Sequence, residues 1–197
     1  MKTVIKVSLF ASMILPVLSC TSHREVKRVS TEQTVDLSGR WNDSDSRLTA
    51  DALIEQVLGD RWLNEFMQAN NGNKPSVVVG LVKNNSHEHI DAETFIKDLE
   101  KSFVKSGRIR LIQAGDNREA LRSERADQQQ FSSKETAKKW GKELGADFML
   151  QGTISSIVDS YKKEQITYYQ VDLQLTNIET NEVVWIGDKK IKKYIAE

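Results

Sequence analysis

Ser76-Val77-Val78-Val79-Gly80-Leu81-Val82, introduced by Pro75 and closed by Asn84-Asn85-Ser86, is the stretch that decides the fold. It is short, β-branched and apolar at consecutive positions, so both of its faces are buried, as in the central strand of a sheet covered by helices. The next segment supplies the cover. Asp91 is placed to cap a helix whose Ala92, Phe95, Ile96, Leu99, Phe103 and Val104 form one stripe, and Ser106-Gly107 ends it. Ile109 to Ile112 then reads as a second strand, which completes a βαβ unit.

Downstream, Asp116 to Gln130 is polar almost all round, and both a loosely packed helix and a mobile loop fit it. Ser132 and Glu135 make a capping-box pattern for a helix that carries Ala137, Trp140 and Leu144 on one face and stops at Gly145. Asp147 to Ile157 reads as a long strand. Ile166 to Ile178 alternates Tyr169, Val171, Leu173 and Leu175 with Tyr168, Gln170, Asp172 and Gln174, the mark of an antiparallel strand with one wet side. The turn Glu179-Thr180-Asn181-Glu182 leads into Val183 to Ile186, making a three-stranded meander. Upstream, Thr49 is placed to cap one long helix. Its Leu53, Ile54, Val57, Leu58, Trp62, Phe66 and Met67 fall three or four apart until Asn70-Asn71-Gly72. The expected fold is α/β: a single mixed sheet flanked by helices, with an N-terminal βαβ unit followed by a C-terminal antiparallel meander.

The 197 residues leave room for one domain after an N-terminal leader. Met1, Lys2 and Lys6 form a positive start, and Val7 to Leu18 is an apolar run too short to span a bilayer, so residues 1–19 read as a signal peptide. Val17-Leu18-Ser19-Cys20 resembles the bacterial lipobox. Its thiol would attack a lipid to form a thioether, and small Ser19 lets a peptidase reach the bond before Cys20. Thr21 replaces the aspartate that retains such lipoproteins in the inner membrane, which favours the outer membrane. Residues 20–48 read as a lipidated, largely disordered tether with Trp41 as a candidate to dock on the domain, and residues 49–197 as the globular periplasmic domain. The 28 residues after Cys20 would reach at most about 95 Å extended and about 30 Å as a coil.

Lys plus Arg equals Asp plus Glu at 28 each, and the leader holds two lysines and no acid, so no basic surplus points to nucleic acid. Cys20 is the only cysteine, which excludes an internal disulfide or a thiolate metal cluster. His87-Glu88-His89 is the densest group of metal-capable side chains, but two ligands two residues apart on an extended chain lack a third and fourth. It reads as a polar loop before a helix. No nucleophile elbow is present, and Gly80, Gly145 and Gly152 do not form a phosphate-cradling motif. The sequence therefore predicts no catalytic residue, no metal, no cofactor and no small-molecule substrate. Lys189-Lys190-Ile191-Lys192-Lys193 fits a site for acidic partners and also the protection of an edge strand, of which the protection is favoured, and Trp140 and Trp185 read as packing residues.

Several stretches, in order, resemble the LpoB-type activators of penicillin-binding proteins. They are the leader cysteine, Val77 to Ser86, Ala114 with the polar segment after it, Gly145-Ala146-Asp147-Phe148-Met149-Leu150-Gln151-Gly152, and Leu173-Gln174-Leu175 through Trp185. The resemblance covers roughly residues 50 to 190. It implies an outer-membrane lipoprotein, lipidated at Cys20, that binds and stimulates a class A penicillin-binding protein and is not itself an enzyme. Known members carry a long proline-rich leash, whereas this chain has no proline between Cys20 and Pro75. The alternative is a periplasmic subunit of a secretion apparatus related to the curli channel lipoprotein CsgG. The link from Asp159 to Gln165 is too short to hold the membrane hairpin a channel needs.

Overall fold

A computed structural model describes residues 25–31, 33–131 and 144–196. Its elements run α1 (Asp43–Gly59), α2 (Arg61–Ala69), β1 (Ser76–Asn84), α3 (Ala92–Ser106), β2 (Arg110–Leu111), α4 (Gly115–Phe131), β3 (Phe148–Tyr161), β4 (Glu164–Asn177) and β5 (Val183–Ala196). The five strands form one mixed sheet in the order β2-β1-β3-β4-β5. β1 pairs in parallel with β2 and β3, while β3, β4 and β5 are antiparallel. The expected βαβ unit and meander are both present. They are joined edge to edge between β1 and β3.

β1 is buried over Ser76–Val79, as its apolar run requires. Its register against β3 shifts between Val79 and Val82, so the bulge falls on Gly80 and Leu81. Gly152 of β3 lies opposite Leu173 of β4, which lies opposite Gly187 of β5. A Cβ on Gly152 would strike the Asp172 carbonyl oxygen, and one on Gly187 would strike the Trp185 ring. The two glycines let Leu173 and Trp185 fill the row between them.

Helices α1, α2 and α3 cover one face of the sheet. Leu53 and Val57 of α1 and Phe95, Leu99 and Phe103 of α3 meet Val77, Leu150, Ile154, Tyr169, Val171 and Leu175 in a single core. Trp62 and Phe66 of α2 pack edge-on against Phe148 at centroid distances of 5.0 and 5.4 Å. The other face carries Gln151, Thr153, Ser155 and Ile157 of β3, Tyr168, Gln170, Asp172 and Gln174 of β4, and Ile186, Asp188, Lys190, Lys192 and Tyr194 of β5. These alternate in register with the core residues.

Three local expectations are revised and one choice left open by the sequence is decided. The first helix opens at Asn42, not Thr49. Asn42 and Asp45 cap each other reciprocally, at 3.1 and 3.0 Å, and Thr49 is fully buried about two turns further in. The predicted single helix also breaks at Asp60, which is extended. The break is stabilised because two carbonyls at the end of α1 find donors. Trp62 Nε1 donates to the Val57 oxygen at 2.6 Å, and Arg108 Nη1 donates to the Leu58 oxygen at 2.6 Å. The segment after Ala114 is a helix, α4, supported by pairs along its own surface such as Arg122 with Glu119. Finally, β3 and β4 run through the supposed link, turning at Lys162 and Lys163, and β5 continues to Ala196. The helix predicted from Ser132 lies mostly outside the described residues. Asp91 and Gly107 cap α3 as expected, Asp91 by accepting from Glu93 and Thr94 and Gly107 with φ +61°.

Candidate functional site

The best-organised polar site is where the chain preceding α1 meets the last strand. Lys193 of β5 sits on the helix side of the sheet, opposite buried Thr167. Its ammonium donates to Asp36 Oδ1 at 2.6 Å, Asp45 Oδ2 at 2.6 Å and the Arg40 carbonyl at 3.0 Å. The Lys193 and Asp45 side chains are 10% and 11% exposed, while Asp36 is 48% exposed. Burial opposes the Lys193 charge, but the bonds to Asp36 and Asp45 outweigh it and raise its pKa above the usual lysine range. The Lys193 hydrogen bond correspondingly lowers the pKa of Asp36.

This clasp fastens a strap, residues 35–42, across the end of β5. Gly39 adopts φ +68°, and a Cβ there would collide with the Ile195 side chain. Trp41 then inserts edge-on against Phe95 and Tyr169, with centroids 6.3 and 5.6 Å away. Its backbone N–H donates to Glu88 Oε2 at 3.1 Å, and the Tyr169 hydroxyl donates to Glu88 Oε1 at 2.7 Å. Burial and then the Glu88 carboxylate push the Tyr169 pKa well above the tyrosine range. The docking of Trp41 expected from the sequence is thus present, held by a charge pair that the sequence reading missed.

The two histidines separate. His87 stacks on Tyr169, places Nδ1 2.6 Å from Ser156 Oγ, and lies 3.4 Å from Glu88 Oε1 through Nε2. His89 points into a different cleft, with Trp41, Asp43 and Asp91. Ser156, His87 and Glu88 supply the side-chain types of a hydrolytic triad, but their partners differ from one. Glu88 is taken up by Tyr169 and the Trp41 N–H, and the His87 backbone N–H also donates to Ser156 Oγ at 3.0 Å. The cluster fastens the strap and the loop after β1 to the sheet. Among the described residues, no three His, Cys, Asp or Glu side chains are placed to hold a metal ion.

Cys20 lies outside the described residues. Trp185 is buried in the core, as expected, and Trp140 lies outside the described residues. The lysine run does lie on an edge strand, but its members divide. Lys193 belongs to the clasp, whereas Lys190 and Lys192 face the opposite side, where Lys190 pairs with Asp188 at 3.4 Å. Strand alternation is the signal that could have separated them, since Lys193 shares a face with Ile191 and Ile195.

The fold and the strap define a small α/β domain whose polar clusters fasten its own chain. Residues 45–191 match the family described as peptidoglycan-synthase activator LpoB, three quarters of the chain, and the chain belongs to that family. The family consists of activators of peptidoglycan synthesis rather than enzymes. Among solved structures, the LpoB C-terminal domain from Escherichia coli is 16% identical. It aligns over 78% of this chain and 99% of that one, with a TM-score of 0.44. The corresponding domain from Salmonella enterica is 15% identical over 75% and 98%, with a TM-score of 0.43. The solution structure of Escherichia coli LpoB is 14% identical over 95% and 88%, with a TM-score of 0.42. No curated protein matches the sequence. Among the described residues, no helix is long and apolar enough to cross a membrane.

Proposed function

We propose that this chain is an outer-membrane lipoprotein, lipidated on Cys20, whose periplasmic domain binds a class A penicillin-binding protein and raises its rate of peptidoglycan synthesis. The observation that carries this reading is membership of the LpoB family over residues 45–191. The short apolar leader ending at Ser19-Cys20 supports the anchor, because its length suits a cleaved signal peptide. The domain acts by docking and does no chemistry of its own.

The clasp sharpens the question of reach. With Asp36 fastened to Lys193, about 15 residues separate Cys20 from the domain, which extend to at most about 50 Å and as a coil span about 21 Å. The partner synthase must therefore present its docking surface close to the outer membrane.

A pull-down of class A penicillin-binding proteins from the same bacterium, followed by glycan polymerisation with and without the protein, tests the activator role. Capture of one synthase and a faster rate are expected. Binding to none and an unchanged rate would remove it. Metabolic labelling with palmitate tests the anchor, and label that survives Cys20→Ala would refute it.

A further inference from the structure

The β3-β4 hairpin projects from the same end of the sheet as the strap. Ile195, which Gly39 contacts, is paired with Gln165, two residues beyond the turn at Lys162 and Lys163. On the face away from the helices, this end carries Ile157, Tyr161 and Tyr194, which are 66%, 70% and 63% exposed. Ile157 is in register with Tyr168 and Lys192, and Tyr194 with Ile166. Lys162 lies 5.2 Å from the centre of the Tyr161 ring. Near the turn, Glu164 accepts the Tyr194 hydroxyl at 2.9 Å and Asp159 lies opposite Ile166. Asp172 and Asp188 face each other further from the turn, where Asp188 pairs with Lys190. Lys162 and Lys163 form the turn itself, the outermost point of the hairpin.

We infer that this hairpin end is a membrane-contact surface that rests on the anionic phospholipid headgroups of the membrane holding the tether. Two observations select a lipid surface over a protein one. Tyrosine with lysine is the combination favoured at a membrane interface, where the ring sits at headgroup depth and the ammonium meets lipid phosphate. Lysine is by contrast depleted from protein–protein contacts. The second observation is chain length. The strap enters at this end, and about 15 residues beyond Asp36 reach Cys20, so a chain anchored there keeps the hairpin within a short distance of the bilayer. The identity of the membrane rests on the anchor proposed above. The affinity of the patch for anionic lipid does not.

The test uses the chain from residue 20 carrying Cys20→Ser, so that no acyl group contributes. It is sedimented with vesicles of phosphatidylethanolamine and phosphatidylglycerol, or of phosphatidylcholine alone. Binding to the anionic vesicles only, weakening as salt is raised, is expected. Lys162→Glu with Lys163→Glu should lower that binding about tenfold or more, since each lysine near an anionic surface contributes substantially. Tyr161→Ser with Tyr194→Ser should lower it several-fold. Lys105→Glu with Arg110→Glu makes the same charge change at the far end of the sheet and should leave it unchanged. Equal binding to both vesicles, or equal losses in the hairpin and far-end variants, would overturn the inference. So would hairpin variants that keep vesicle binding and lose capture of the synthase, because the patch would then be a protein interface. Failure of wild-type synthase capture with lipid binding intact would count against the activator role and leave this surface standing.

Discussion

Replacing Lys193 by Met keeps the buried stem and removes the ammonium, which isolates the charge of the clasp. Three acceptors then lose their donor. Asp36 is half exposed and recovers water, so its share is below about 1 kcal/mol. Asp45 is 11% exposed and keeps the Asn42 N–H, so most of the cost falls there. Stripping one partner from a fully buried ion pair costs about 3–5 kcal/mol, and a charged hydrogen bond contributes about 1.5–3. For this partly buried site about 2 kcal/mol is the reasoned value. At roughly 2–4 °C per kcal/mol for a domain of this size, the melting midpoint should fall by about 4–8 °C. Urea unfolding followed by tryptophan fluorescence measures the stability. Trypsin measures the strap, because Arg40 should be cut faster once its carbonyl is released. Asp36→Asn should cost less than Lys193→Met and expose Arg40 less, because Lys193 still holds the Arg40 carbonyl. A change under about 0.5 kcal/mol in Lys193→Met, the range of an ordinary surface substitution, would refute the clasp as a stabilising contact. Unchanged cleavage at Arg40 would refute it as the fastening of the strap.

The raised pKa values of Lys193 and Tyr169 mean that both groups hold their protons more tightly in the folded chain. Their contribution is complete below the unfolded values near about pH 10 and is lost as pH rises through the folded ones, so urea midpoints should be level through neutrality and fall above about pH 10. Tyr169→Phe should flatten part of that fall, and a profile identical to wild type would exclude the Tyr169 contribution. Gly152→Ala forces a methyl group against the Asp172 carbonyl and should destabilise the sheet by about 1–3 kcal/mol, read by thermal melting. Trp62→Phe keeps the packing on Phe148 but strips the donor from the buried Val57 carbonyl, and chemical denaturation should register a loss of about 1–2 kcal/mol.

The parts of the fold that were legible in the sequence are those whose period is uncontested. Val77–Val79 could only be a buried strand, and Tyr169, Val171, Leu173 and Leu175 alternate too regularly to be a helix. The start of α1 was hidden because Asn42 and Asp45 sit in a polar stretch without periodicity, where a cap resembles any other pair of polar residues. The break at Asp60 was hidden for the opposite reason. The apolar stripe continues through it, and what stabilises the break includes Arg108, fifty residues away. Beyond Ile186, β5 was obscured by lysines on both faces. Lys193 could not be matched to Asp36 and Asp45 without knowing that the last strand ends beside the first helix. Such a pairing is a property of topology.

The strap also determines how the domain meets mechanical load. A pull on the chain preceding Asp36 is shared between Lys193 and Asn42, because Asn42 Nδ2 donates to the Val35 carbonyl and to Asp36 Oδ1 while the Lys193 ammonium donates to the same carboxylate oxygen. Load therefore arrives together at the last strand and at the cap of α1, and the strap makes the two elements a single bearing point.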